Sequence, residues 1–275
     1  MLFRSAIAIQ RLADSISFGS DRSPFLGSGV EYVQSRRYIP GDPVRAIDWR
    51  VTARTGKPHI KEYEAPKRMP CWLLIDTSAS MVVGSGAKTK YAQALHIAGG
   101  LAYACLDRVS PVGVLGIGER GFRVEPSLSR QQILEWLLRL RRYRYDESTA
   151  LGRRANELAA RLDSRALVIV LSDLHTDDGV QALKHLGQRH DVVVVHLRDP
   201  AERTLRGSGV FRALEPETGR TFVTHGRAQL VEDEALGRDL RRAGIDRIVV
   251  DTDIPFAQKL RHFFQSRALL GKGAR

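Results

Sequence analysis

From residue 71 onward, short apolar segments alternate with longer segments in which apolar residues recur at helical spacing. The short segments have the length of buried strands: Trp72 to Ile75, Val112 to Ile117, Phe122 to Val124, Ala166 to Leu171, Val192 to Leu197 and Arg247 to Val250. The longer segments predict helices: Lys90 to Leu106, Arg130 to Leu140, Leu151 to Leu162, Gly179 to Gln188, Ala228 to Ala243 and Pro255 to Leu269. This order predicts an α/β fold with a mostly parallel central sheet and helices on both faces.

Two turn signals add hairpins to this plan. The tight turn Gly118-Glu-Arg-Gly121 joins two of the strand segments, so one antiparallel strand is expected in the otherwise parallel sheet. A second hairpin is predicted around residues 217–220, between Phe211 to Leu214 and Thr221 to Thr224. Two roles suit this second hairpin, which could be a recognition element or could cover a sheet edge.

Residues 1–70 have a different pattern from the α/β body, which we assign to residues 71–275. Ala46 to Thr52 and Lys57 to Tyr63 are predicted as two short strands joined by a turn at Gly56. The segment holds too little apolar material for an independent core, so we expect it to dock on the body.

Composition indicates a cytoplasmic protein without a membrane span. The two cysteines, Cys71 and Cys105, lie in apolar surroundings and are typical of small buried side chains in a reducing compartment. The longest apolar run, Ala166 to Leu171, is far shorter than the ~18 residues that a membrane helix needs. Arg4 and Arg11 interrupt the apolar stretch at the N-terminus, where no cleavage pattern follows, so no signal peptide is predicted.

The formal net charge of +12 predicts a positive field around the molecule. Such a field raises encounter rates with acidic proteins, nucleic acids and anionic membranes, without choosing among them. Arginines concentrate in three places, at residues 36–37, 139–144 and 238–247, but few aromatic residues lie among them. We therefore interpret them as solvated helix faces in preference to a nucleic-acid groove.

Oxygen donors follow the first buried strand of the body. Asp76, Ser78 and Ser80 occupy alternate positions directly after Ile75, at the carboxyl end of the strand, where open α/β sheets place their binding sites. In an extended turn the two hydroxyls can point to the same side, and the Asp76 carboxylate adds charge. Oxygen donors without His or Cys suit Mg²⁺, with Mn²⁺ possible, and do not suit Zn²⁺ or copper.

Two further donors are expected at neighbouring strand ends. Thr149 lies in a polar loop that leads into the helix predicted at Leu151, and Asp173 ends the strand Ala166 to Leu171. Each has an alternative role, because Thr149 or Ser148 could be a helix N-cap and Asp173 could cap the turn before the next helix. Oxygen donors at three successive strand ends, in this order, favour a metal site.

The metal-ion-dependent adhesion site of von Willebrand factor A domains has a donor order that this sequence resembles: Asp76-x-Ser78-x-Ser80, then Thr149, then Asp173. The resemblance covers residues 71 to about 253 and implies a Rossmann-like A-domain fold. It also implies that the two serines and the threonine bind the ion directly, while the two aspartates act through waters. In that family an acidic side chain of a partner protein generally fills the open coordination position.

A second resemblance lies in residues 29–49, together with Thr52-Ala-Arg54 and Lys61-Glu-Tyr-Glu64. These stretches resemble the signature of the bacterial domain-of-unknown-function family fifty-eight, whose members carry an A-type domain behind it. Members are often encoded beside MoxR-type AAA+ ATPases and are thought to act with them as chaperone-like or maturation systems. The resemblance implies that a MoxR-type ATPase or its client is the partner.

The signature residues themselves favour a structural role. Ion pairs and hydrogen bonds could hold this irregular segment, with three apolar residues as anchors: Arg37, Asp42, Arg45, Asp48 and Arg54, with Tyr38, Ile47 and Trp49. Such a network should be partly buried, because an exposed ion pair contributes only ~0–1 kcal/mol.

Three functions stay open on the sequence, and we favour the first. It is a non-enzymatic, metal-dependent protein-interaction module, for which any ATP-driven work must come from a partner, since the chain has no Gly-x-x-x-x-Gly-Lys-Ser/Thr loop. The second is a metal-dependent hydrolase or phosphatase; it lacks a second acidic residue two positions after Asp76, although His175, Asp177 and Asp178 could line the site. The third is nucleic-acid binding through the basic surface.

Overall fold

The computed structural model describes residues 32–39, 47–63, 69–82, 84–86, 88–142, 146–176, 178–200, 210–214 and 221–269. Its strands are β1 (Tyr32–Arg37), β2 (His59–Tyr63), β3 (Cys71–Ile75), β4 (Val112–Gly116), β5 (Phe122–Ser127), β6 (Leu167–Ser172), β7 (Asp191–Arg198), β8 (Val210–Leu214), β9 (Thr221–His225) and β10 (Asp246–Asp251). Its α-helices are α1 (Trp49–Thr55), α2 (Lys90–Asp107), α3 (Arg130–Arg141), α4 (Leu151–Arg161), α5 (Gly179–Gly187), α6 (Gly226–Arg242) and α7 (Ala257–Leu269), and a 3₁₀ helix spans Ala79–Val82.

The body of the protein is a six-stranded sheet with the strand order β10-β7-β6-β3-β4-β5. Every neighbouring pair is parallel except β4 and β5, which form the hairpin predicted at Gly118 to Gly121. Strand β3 lies between β6 and β4, and Cys71 pairs with Leu167 on one side and with Val112 on the other. The carboxyl ends of these three strands therefore lie side by side, with β3 in the middle.

Helices cover both faces of this sheet, as predicted. Along β3 the side chains alternate, so that Leu73 and Ile75 join one core cluster while Trp72 and Leu74 join another. The first cluster contains side chains of α2, α3 and α7, and the second contains side chains of α4, α5 and α6. Because both faces are buried, the central strands are nearly continuous apolar runs, and this pattern allowed them to be predicted from the sequence. The mixed α/β fold with a mostly parallel sheet is thus confirmed.

The second predicted hairpin also forms. Strands β8 and β9 pair antiparallel in a separate two-stranded sheet, with Val210 opposite His225 and Leu214 opposite Thr221. The turn predicted at residues 217–220 lies outside the described residues.

In the N-terminal segment, the strand predicted for Ala46 to Thr52 is wrong. Residues 49–55 form helix α1, which begins because the Asp48 carboxylate accepts hydrogen bonds from the amides of Arg50 (3.1 Å) and Val51 (3.2 Å). The helix ends at Gly56, which has the left-handed φ of 67° that a glycine adopts readily. The strand partner of β2 is instead β1, with Arg37 opposite His59, and Ile47 keeps only an isolated bridge to Ile60.

Of the network expected among the signature residues, the described part of the chain shows the contacts of Asp48. Asp48 is buried and accepts a hydrogen bond from the Ser35 hydroxyl at 2.6 Å, so it ties α1 to β1. Trp49, predicted as an apolar anchor, is 69% exposed, because it is the first residue of a helix that turns this side chain to solvent. Asp42 and Arg45 lie outside the described residues. Within the described part of the chain, no helix has both the length and the apolar character to cross a bilayer.

Candidate metal centre

The predicted donors lie where β6, β3 and β4 end. Beyond the last residue of β3, the Asp76 amide still donates to Leu171 of β6 at 3.0 Å, and the Ile117 amide donates back to Ile75 at 3.0 Å. These bonds hold the first residue after each strand in line with the sheet. Asp76 and Asp173 therefore leave adjacent strands at the same edge.

The two serines lie together directly after Asp76. Their hydroxyl oxygens are 3.1 Å apart, and both residues are buried, Ser80 within the 3₁₀ helix that begins at Ala79. The Asp76 carboxylate accepts a hydrogen bond from the Ser78 amide at 3.0 Å, which closes the turn and directs the chain back over the strand end. Two hydroxyl groups thus share one small buried space beside a carboxylate.

Asp76 itself is held by a second strand end. Its other carboxylate oxygen accepts a hydrogen bond from the Ser172 hydroxyl at 2.5 Å. Burial, and next the negative charge of Asp173, raise the pKa of Asp76 to about 7, against the lowering effect of the hydrogen bonds from Ser172 and Ser78. Two carboxyl groups so close in a buried site repel each other, and a bound cation would relieve that repulsion.

Asp173 has a partner that the sequence did not suggest. The Lys90 ammonium lies 2.7 Å from its carboxylate, and both side chains are almost completely buried. Burial acts to raise the pKa of Asp173, but the charges of His175 and Lys90 and hydrogen bonds from Lys90 and Ser80 outweigh it and hold that pKa below its usual range. Lys90 was missed because it lies 83 residues from Asp173 along the chain. The one available signal was a lysine at the start of a mostly apolar helix.

Thr149 reaches the same edge through a neighbouring loop. Its backbone forms an isolated bridge with Gly118, just after β4, and the next residue, Ala150, donates its amide to Ile117 at 2.7 Å. The alternative role as an N-cap is not observed, because Ala150 occupies that position of α4 and no side chain caps the helix. The structure thus brings the loop of Thr149 against the turn that carries the serines, since the Ala79 amide donates to Glu147 at 2.9 Å.

Glu147 fastens this loop and was also missed by sequence reasoning. Its buried carboxylate accepts hydrogen bonds from the Thr77 hydroxyl (2.5 Å), the Arg120 amide (2.8 Å) and the Arg120 guanidinium (3.1 Å). Gly118 allows this approach, because a Cβ there would lie 2.1 Å from a carboxylate oxygen of Glu147. The one sequence signal for this contact was Gly118, which we had interpreted only as a residue of the predicted turn.

The second alternative, that Asp173 caps the turn before α5, is supported in part, because its carboxylate accepts a hydrogen bond from the His175 amide at 3.4 Å. Asp173 does not cap the helix itself. Asp178 occupies the N-cap position of that helix, and the Thr176 hydroxyl accepts from the Gly179 amide at 3.2 Å. His175, considered as a site residue, is more than half exposed, with its ring nitrogen 3.9 Å from Asp173. Asp178 is exposed, and Asp177 lies outside the described residues.

The chemical type of these donors suits a hard cation. Hydroxyls and carboxylates are the ligands that Mg²⁺ and Mn²⁺ prefer, and buried groups of both kinds, from Ser78, Ser80 and Asp76, lie together here. Across the described residues there is no cluster of three or more His, Cys, Asp or Glu side chains with metal-ligand spacing. A metal here would therefore depend on the hydroxyls as much as on the carboxylates.

Comparison with known proteins gives one family and several distant relatives. The model of the family described as protein of unknown function DUF58 matches residues 34–233. Uncharacterized proteins of Mycobacterium bovis and Mycobacterium tuberculosis are 25% identical to this chain over 278 residues, which is 95% of this chain and 87% of theirs. The chain and these relatives are therefore similar over most of their lengths.

Two solved structures show weaker similarity. The conserved hypothetical protein BatB from Bacteroides thetaiotaomicron is 15% identical, with a TM-score of 0.47, over 74% of this chain and 99% of its own. An uncharacterized membrane spanning protein from Vibrio fischeri is 14% identical, with a TM-score of 0.22, over 72% of this chain and 96% of its own.

Proposed function

The chain belongs to the DUF58 family of proteins of unknown function, and from this premise we propose that it is a metal-dependent protein-interaction module. The observation that supports this most strongly is the meeting of buried hydroxyls and carboxylates at neighbouring strand ends. The hydroxyl oxygens of Ser78 and Ser80 lie 3.1 Å apart. Beside them are the Asp76 carboxyl group, with a pKa of about 7, and the Asp173 carboxylate. Such a site gains from a cation, which would offset the negative charge of the two carboxyl groups.

In this proposal Ser78, Ser80 and Thr149 hold Mg²⁺ or Mn²⁺, and Asp76 and Asp173 contribute charge, directly or through waters. The bound ion would supply one open position for a carboxylate of another protein. The donors that would hold the ion are themselves fixed in place. The Ser172 hydroxyl holds the Asp76 carboxylate, and the backbone of Glu147 binds the loop of Thr149 to the turn that carries the serines. The finer identification as a von Willebrand factor A domain is part of the same proposal, supported by the donor order and by the strand and helix order.

The proposed partner is a protein with an exposed acidic side chain. The net charge of +12 would raise its encounter rate, and the metal would select a carboxylate at close range. The resemblance to family members encoded beside MoxR-type AAA+ ATPases suggests that this partner is such an ATPase or its client. The chain would then serve as an adaptor or a chaperone-like component, while the ATPase performs the ATP-driven work.

The test is a pull-down from native extract with the tagged protein as bait, in Mg²⁺ and in EDTA. We expect a specific partner to be captured by the wild type in Mg²⁺ and to be lost in EDTA and with Asp76→Ala. Asp178→Ala is the matched control, because it removes an exposed aspartate near the same sheet edge. If Asp76→Ala captures the partner as well as wild type does, and EDTA does not change the capture, the interaction does not depend on a metal and the proposal is wrong on that point. Circular dichroism of each variant establishes that the fold is kept.

A further inference from the structure

Lys90 brings a positive charge of the protein's own into the candidate metal centre. Its ammonium lies 2.7 Å from the Asp173 carboxylate, and the side chains are 2% and 1% exposed. Burying both charges is costly in free energy, and such a pair is retained only with close contact and further hydrogen bonds. The pair therefore needs a reason other than general stability.

The position of Lys90 on its helix makes the pair more unusual. Lys90 is the first residue of α2, directly after the N-cap Thr89, whose hydroxyl accepts from the Ala92 amide. The N-terminus of a helix carries partial positive charge, so a lysine is disfavoured there and an acidic residue is preferred. Its carboxylate partner, at the end of β6, offsets this cost.

The ammonium and a metal ion would use the same carboxylate. Asp173 also receives a hydrogen bond from Ser80, one of the two hydroxyl donors of the site. The Lys90 nitrogen thus contacts the Asp173 carboxylate, which also accepts the Ser80 hydrogen bond and lies near the Asp76 carboxyl group. An ammonium group supplies the positive charge that a metal would supply, but on a tether and without coordination geometry.

We propose that Lys90 is a tethered counter-cation that competes with the divalent ion for Asp173, so that the centre has an ammonium-bound state and a metal-bound state. This inference rests on the proposed metal-dependent function. In the ammonium-bound state the centre stays assembled without a metal. In the metal-bound state the ion must displace the ammonium from Asp173, which weakens metal binding and keeps it reversible.

The test is calorimetric titration of Mn²⁺ and of Mg²⁺ into the purified, metal-free full chain. Lys90→Met keeps most of the unbranched side chain and removes its charge, while Lys90→Arg keeps the charge. Lys88→Met is the matched control, because it removes an exposed lysine two residues earlier and reports the general effect of one positive charge. We expect Lys90→Met to bind Mn²⁺ about tenfold more tightly than wild type or more, which corresponds to about 1.4 kcal/mol or more. The affinities of Lys90→Arg and Lys88→Met should stay within about threefold of wild type, a difference well below that tenfold change.

A thermal unfolding series gives a second readout that does not depend on heats of binding. Without metal, Lys90→Met leaves the buried Asp173 without this ammonium, so its unfolding midpoint should fall below that of wild type. Added Mn²⁺ should then raise the midpoint of Lys90→Met more than that of wild type. If Lys90→Met folds only with metal, its unfolding when EDTA is added also shows that its stability depends on the metal more than that of wild type. The double variant Lys90→Met/Asp173→Asn should lose both the tighter binding and the larger metal response.

The outcomes separate this inference from the proposed function. If wild type binds Mn²⁺ and Lys90→Met binds equally or more weakly, Lys90 supports the metal site and the competition is refuted, while the interaction module stands. If neither protein binds Mn²⁺ and neither midpoint responds, the metal-dependent function fails and the competition fails with it. Measurable Mn²⁺ binding by wild type, with binding by Lys90→Met tighter by about tenfold or more, would support both the interaction module and the competition.

Discussion

Asp76 and Asp173 are two buried carboxyl groups at the ends of adjacent strands, and their surroundings give them opposite proton affinities. Burial and the charge of Asp173 raise the pKa of Asp76 to about 7, whereas His175, Lys90 and Ser80 together hold the pKa of Asp173 below its usual range. Near neutral pH, one carboxyl group of the metal-free site is therefore poised to release a proton while the other is ionised. Metal binding should favour ionisation of both.

The raised pKa of Asp76 predicts how metal-free stability changes with pH. Because the folded state holds this proton more tightly, its stabilising contribution is fully present below about pH 4 and is lost as the pH rises through about 7. Asp76→Asn removes this loss, since the Ser172 hydroxyl can turn to accept from the amide. We expect Asp76→Asn in EDTA to be more stable than wild type at pH 8, by about 1–4 kcal/mol, and to differ less at pH 5.

Urea unfolding of both proteins at pH 5 and pH 8, with EDTA throughout, measures this difference. Asp178→Asn, at an exposed aspartate near the same edge, should keep the pH dependence of wild type. An equal or steeper loss of stability in Asp76→Asn between the two pH values would contradict the assignment of that loss to Asp76.

At the same scale, the sequence predicted which side chains meet at this edge, but not the residues that hold them in place. Asp76, Ser78 and Ser80 were recognisable because they follow one strand at alternate positions, and Asp173 because it ends another. Lys90 and Glu147 act across 83 and 70 residues, through contacts that exist only once β6, β3 and β4 are neighbours. Neither residue belongs to a local pattern, so the fold had to be known first.

At the scale of elements, the body of the protein was predictable, whereas in the N-terminal segment the sequence predicted β2 but neither β1 nor α1. Strands buried on both faces are mostly apolar, and this local pattern located β3, β4, β6 and β7 to within one residue at every end. The segment around α1 has no such run. Trp49, Val51 and Thr52 favour a strand by intrinsic preference, but the capping carboxylate of Asp48 and the left-handed Gly56 bound a helix there.

The cap can be tested directly. Asp48→Ala removes the acceptor for two helix amides and for the Ser35 hydroxyl, so it should destabilise α1 by about 0.5–2 kcal/mol. Asp48→Asn is the control, because its side-chain oxygen can still cap the helix and its cost should be smaller. Hydrogen exchange of the amides of residues 52–56 measures the change locally. Unchanged protection in Asp48→Ala would show that packing alone, without the cap, sets the start of α1.

At the scale of the whole molecule, the proposed metal donors lie at one edge of the sheet in a positively charged protein. The donors lie at the carboxyl ends of its central strands, and Asp199, directly after β7, accepts hydrogen bonds from the Ser85 amide (2.9 Å) and hydroxyl (2.5 Å). The loop that follows the donors is thereby tied to the next strand along the edge. An acidic partner attracted by the net charge of +12 would meet the metal at this edge.

The central claim is that buried hydroxyls at this edge hold a divalent cation. Calorimetric titration of Mn²⁺ into wild type and into Ser78→Ala/Ser80→Ala tests it most directly, with the exposed Ser164→Ala as control. We predict one ion per chain in wild type and in the control, and a loss of affinity of about tenfold or more, or about 1.4 kcal/mol, in the double variant. Equal affinity and stoichiometry in all three proteins, or no binding by wild type at millimolar Mn²⁺, would contradict the claim.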